Sequence, residues 1–186
     1  MRWSSVVRQC RFDCVRVDLF GLSNMLFMLL FPVLSCVAAL VLTVTGAPGQ
    51  VAVSVYGGVC GMAAVMSWMS ALSVNVAEES GGHRAMNGMI PIARTSQVAG
   101  RFLFLLVTCA MWTVDVMACS VFFAFGDMMD SGWAGAMIPS AVIFAFSLIV
   151  GSILMAFSYR FTFRAMMRIF VVVIVGLYAL VALLSR

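Results

Sequence analysis

Five stretches of this chain, residues 19–44, 51–76, 102–125, 133–159 and 169–184, are almost continuously apolar. A helix rises about 1.5 Å per residue and a bilayer's hydrocarbon core is about 30 Å thick, so about 20 apolar residues suffice to cross it. The runs therefore predict membrane spans. The last has 16 residues, about 24 Å of helix, and has to recruit flanking residues or thin the bilayer locally. Composition agrees: 10% of the 186 residues are charged, whereas a soluble domain carries about 25%. None of the runs alternates apolar and polar residues as a membrane strand does, and helices satisfy their own backbone in lipid. The expected fold is all-α, a polytopic transmembrane helical bundle of five predicted spans forming one domain over 1–186. No linker, internal repeat or low-complexity tract divides it.

The sparse charges orient the bundle. All eleven basic residues are arginines: four precede the first span, three (Arg84, Arg94, Arg101) lie between the second and third, and three (Arg160, Arg164, Arg168) follow the fourth. The loops TGAPGQ and GDMMDSG have none, and the second holds Asp127 and Asp130. Arginine-rich loops stay in the cytoplasm, so the amino terminus, the 77–101 loop and the 160–168 loop are expected there. Only Arg186 dissents. The charged segment before the first span does not read as a cleavable signal peptide. It mixes Trp3, Val6, Val7, Phe12, Val15 and Val17 with arginines, as expected of an interfacial helix over 1–18 whose arginines reach anionic headgroups. The six cysteines avoid the outside loops, which argues against disulfides.

The loop EESGGHRAMNGMIPIARTSQVAGR concentrates polar chemistry. Its glycines and Pro91 interrupt helix, Thr95 or Ser96 can cap the helix entering the third span, and Met86, Met89, Ile90 and Ile92 need a partner protein or headgroups to cover them. This reads as a docking element. His83 stands alone, without the neighbours a metal site needs. Asp115 is the one acid inside a span, near its middle, and has to face the bundle or a cavity. It reads equally as a contact for cationic cargo, a polar link across a dimer, or a protonated acid bonded to Thr113, to another span or to water. Gly57-x-x-x-Gly61 gives the second span a small-residue face for close helix packing, within the chain or between protomers. Pro139 is expected to kink the fourth span.

The acidic pair Glu78-Glu79 lies thirteen residues before Pro91, in Ile90-Pro91-Ile92-Ala93-Arg94, and a capped helix follows to Arg101-Phe102. Together with Val17-Asp18-Leu19 before the first span and Tyr159-Arg160-Phe161 after the fourth, this resembles the small bacterial permease subunits of type-2 ATP-binding-cassette exporters. The family has Leu and Ser where Ile90 and Ala93 stand, and it normally has six spans.

The resemblance implies a permease in the bacterial plasma membrane, working as a homodimer or beside a second permease. Cytoplasmic ATPase subunits would bind the ATP, and Glu78, Glu79, Ile90, Pro91 and Arg94 would form the coupling loop. Independently, a phosphate-binding loop needs a lysine, and this chain has none, so any ATPase is a separate polypeptide. No cofactor of its own, no metal and no nucleic-acid partner are expected, and the lipid bilayer is its surroundings. Drugs, lipids or peptides all suit the family as cargo. The alternative is a non-transporting accessory or immunity membrane protein of the same fold, to which the missing sixth span lends weight. A membrane enzyme ranks third, since no HExxH helix or paired intramembrane aspartates are present.

Overall fold

A computed structural model describes residues 3–80, 93–125 and 132–162, with 165, 168, 169, 171 and 172. Among the described residues there are five long helices and no strand: α1 (Trp3–Arg16), α2 (Leu22–Thr45), α3 (Gly49–Ser80), α4 (Arg94–Phe125) and α5 (Gly132–Ser158). The last four are long and apolar enough to cross a membrane, as expected of a multi-pass membrane protein. They coincide with the first four predicted spans. Of the fifth, 169–184, only 169, 171 and 172 are described, as helix, and the rest lies outside the described residues.

α4 is the axis of the molecule. It packs against all four other helices, while α2 and α5 flank the α3–α4 pair without meeting each other. α2 rests mainly on α4 and only lightly on α3. Its outward side carries Leu22, Leu26, Leu29, Leu40 and Val44, all exposed, as suits a lipid-facing helix. Gly46 ends it at φ 62°, a left-handed geometry that a glycine adopts without a Cβ clash.

Two apolar clusters follow one another along α3 and α4. One joins Trp68, Leu72, Phe104, Leu105 and Met155 to Cys10, Cys14 and Leu19. The other joins Tyr56, Cys60, Ala63, Val116, Cys119 and Phe123 to Phe31 and Trp112, whose rings meet edge to face at 5.3 Å. Lipid is as apolar as any core, so close fit rather than escape from water favours these contacts. The packed stripe of α3 is rich in small residues, with Ala52, Cys60, Ala63, Ala64, Ser67 and Ala71 buried among the larger Tyr56, Trp68 and Leu72.

α1 docks on α4 through Val6, Gln9, Cys10, Asp13 and Cys14, which recur every three to four residues. Gly100 makes the approach close, because a Cβ there would lie 2.6 Å from Gln9 Cβ. Between α1 and α2 the chain turns at Asp18 (φ 50°), where Asn24 Nδ2 donates to the Asp18 carbonyl at 2.8 Å. The expected amino-terminal helix is therefore present, with Arg8, Arg11, Trp3, Val7, Phe12 and Val15 exposed. Arg16 departs from the expectation and turns inward.

Candidate functional site

The polar residues of four helices converge where α1 docks. Asn75 and Glu78 continue the packed stripe of α3 beyond Ala71, and Arg101 shares the packed face of α4 with Phe104, Leu105 and Thr108. Glu78 is buried, and its Oε1 accepts from Arg16 Nη1 at 2.7 Å and from Arg101 Nη2. Arg101 Nη1 also donates to Asn75 Oδ1 at 2.9 Å, and Asn75 Nδ2 donates to Ser158 Oγ at 3.0 Å. The Arg101 guanidinium lies 5.6 Å from the centre of the Tyr159 ring. One carboxylate thus joins the end of α1, the end of α3 and the start of α4, and Arg101 extends the link to the end of α5.

Asp13, fully buried on the docked face of α1, is the second acid here. Gln9 Nε2 donates to its Oδ1 at 3.1 Å, and Oδ2 has no hydrogen-bond partner among the described residues. Burial pushes its carboxyl up to about 6, against the pull of the nearby Arg101 guanidinium and the Gln9 hydrogen bond. The same burial pushes the Cys10 thiol up to about 12 and raises that of Cys14.

The expected coupling residues divide. Glu78 points into the bundle rather than out of it. Glu79 is half-buried and Arg94 exposed, and both line a cavity of about 470 Å³ with Asn75, Gln97, Arg101 and Tyr159. Ile90, Pro91 and His83 lie outside the described residues. α4 begins at Arg94, earlier than the apolar run suggested. The Ala93 carbonyl accepts from Ser96 N at 2.8 Å, so Thr95 and Ser96 lie in the first turn instead of capping it.

Asp115 is buried on α4, and its Oδ2 has no hydrogen-bond partner among the described residues. No hydrogen bond joins that oxygen to Thr113, whose hydroxyl donates to the Cys109 carbonyl at 2.8 Å. Gly57 and Gly61 are exposed, and a Cβ on either would meet nothing within 4 Å, so among the described residues they make no close helix contact. Pro139 lies inside α5 as expected, and α2 holds a second helix-interior proline, Pro32.

Sequence reasoning missed Asp13, Arg16, Asn75 and Arg101 as one cluster, having read the arginines as topology markers. A local signal existed: Asn75 and Glu78 lie at i, i+3 in an apolar helix, and Gln9 and Asp13 at i, i+4 in α1.

A second hollow, a cleft of about 510 Å³, opens beside this cluster between α2 and α3, with α4 as its floor. Arg16 lies on its wall with Met28, Met69, Ser73, Met111 and Trp112. Set against known proteins, the chain matches no family model, no curated protein and no solved structure.

Proposed function

We propose that the chain is the membrane-spanning permease subunit of an ATP-binding-cassette exporter, and that the arginine-bearing end of its bundle is the end on which ATPase subunits act. In this reading that end is cytoplasmic, the membrane is the bacterial plasma membrane, and a second permease, identical or not, completes the transporter. The observation that carries the proposal is the Glu78 cluster. A motor that pushes on the segment between α3 and α4 needs that push passed to the spans as a unit, and Glu78, at the root of the segment, is bonded to Arg16 and Arg101. The absence of lysine, which leaves ATP chemistry to another polypeptide, supports the same reading. Glu79, Ile90, Pro91 and Arg94 would then form the outer, docking part of the coupling element, and Glu78 its inner anchor.

Co-purification tests this. A soluble ATPase carrying GxxxxGK[ST], encoded beside this chain, is expected to purify with it from membranes, and the double substitution Ile90→Asp with Arg94→Asp is expected to release it while the bundle stays folded. An ATPase that remains bound to the double variant overturns the docking assignment. If the unaltered chain purifies with no ATPase, the accessory-protein reading takes its place.

A further inference from the structure

The cleft between α2 and α3 has a polar end and an apolar end. At the polar end is Arg16, beside the turn that leads into α2. A guanidinium carries five N–H donors, and the ion pair to Glu78 engages Nη1. With its side chain 17% exposed, Arg16 is accessible from the cleft, whereas Glu78 is only 6% exposed. Glu78 is also shared with Arg101, and Asp13, the second acid of the cluster, does not line the cleft, so Arg16 is the one charged side chain on its wall among the described residues. Away from Arg16 the walls are mostly methionine, phenylalanine and tryptophan, the methionine thioethers flexible enough to adapt to an irregular apolar guest, and the hydroxyls of Ser70, Ser73 and Thr108 donate to carbonyls of their own helices.

Depth and opening are equally informative. Along α3 the cleft runs from Ala77 to Met66, about 16 Å at the helical rise, and the half-thickness of a bilayer's hydrocarbon is about 15 Å. The light contact between α2 and α3 leaves it open sideways, with Phe27 and Val76 partly exposed on its wall. A hollow one leaflet deep, open toward lipid, cationic at the headgroup level and greasy below it, fits one class of guest.

We propose that this cleft binds an anionic glycerophospholipid, the phosphate on Arg16 and one acyl chain lying among Met69, Met66, Met111 and Trp112. The site does not depend on the exporter reading and would exist equally in a non-transporting protein.

Trp112 lies in the wall and supplies the readout. The full chain, purified in detergent, is titrated with phosphatidylglycerol carrying brominated acyl chains, which quench tryptophan on contact. Saturable quenching is expected, and Trp112→Phe is expected to remove that component. Arg16→Gln leaves Glu78 paired with Arg101 and is expected to weaken binding about tenfold or more, as a charge-assisted hydrogen bond requires. Ser73→Phe fills the cleft without touching the ion pairs and is expected to abolish saturable quenching while helical content is kept. Brominated diacylglycerol, which lacks the phosphate, is expected to bind at least tenfold more weakly. Quenching that rises linearly and equally in the unaltered chain and Ser73→Phe would mean that lipid only surrounds the protein, and would overturn the proposal. So would diacylglycerol binding as tightly as phosphatidylglycerol, or a cleft filled by a second copy of the chain and closed to quencher.

Discussion

At the scale of single residues the decisive chemistry is one carboxylate between two guanidiniums. Removing one member of a buried ion pair costs more than the pair contributes, because it leaves charge without compensation away from water. Glu78→Gln takes the carboxylate from both Arg16 and Arg101, leaving Arg101 its bond to Asn75, and is expected to destabilise the folded chain by about 3 kcal/mol, read from denaturant unfolding in detergent. Glu79→Gln, on a half-buried side chain, is expected to cost under about 1 kcal/mol. Asp13 gives the cluster a pH dependence. Its carboxyl sits at about 6 in the folded chain and at about 3.9 when unfolded, so the folded state holds the proton more tightly. That contribution is full below about pH 4, declines as pH rises toward 6, and is level above. The melting temperature should therefore fall across that window by more in the unaltered chain than in Asp13→Asn, whose amide does not titrate. A pH dependence identical in the two would show that Asp13 ionises as freely folded as unfolded. The acid pair was visible in the sequence as an exception within an apolar chain. Which acid faces inward was not, since adjacent residues on a helix point about 100° apart and only the packing of α1 on α4 selects between them.

At the scale of helices, α1 is the element whose attachment is most open to test. It is held by the Arg16–Glu78 bridge and by close backbone approach at Gly100. A leucine at 100 would be forced into Gln9, and overpacking of this kind costs about 1–3 kcal/mol. Gly100→Leu is therefore expected to lift α1 part of the time and to expose Cys10 and Cys14. Those thiols are buried, and Cys10 is pushed up to about 12, so they should react slowly with a maleimide while α1 is docked. With Cys36→Ser removing the exposed thiol, labelling at Cys10 and Cys14 should accelerate about tenfold in Gly100→Leu. An unchanged rate would mean that α1 is held elsewhere. The helix itself was legible from its spaced arginines and aromatics, but its docked face was not. Apart from Val6 that face is Gln9, Cys10, Asp13 and Cys14, polar or small, so a reading that seeks apolar contact turns the helix the wrong way.

For the whole molecule, the spans could be read from hydropathy because the bilayer fixes their length, and four of the five predicted runs are helices where expected. Which side of each span packs inward could not be read so directly. Lipid and neighbouring helix are equally apolar, so an apolar residue marks neither side, and only close packing of small residues distinguishes them. The two glycines of Gly57-x-x-x-Gly61 looked like that mark, yet the small residues that pack are Ala52, Cys60, Ala63, Ala64, Ser67 and Ala71, beside Tyr56, Trp68 and Leu72, and among the described residues nothing comes close to the glycines. The folded chain should distinguish the two sets. Ala63 is 1% exposed, so Ala63→Leu has to force side chains apart and is expected to cost about 1–3 kcal/mol. Gly57→Leu with Gly61→Leu adds two side chains into open space and removes glycine from a helix interior, so it should leave the chain's own stability unchanged or raise it by about 1 kcal/mol. If the double variant unfolds at lower denaturant than the unaltered chain while both are monomeric in detergent, the glycine face packs within the chain after all. If its monomer is sound but a self-associated form seen by crosslinking in membranes is lost, the glycines are where another helix from outside the chain comes close.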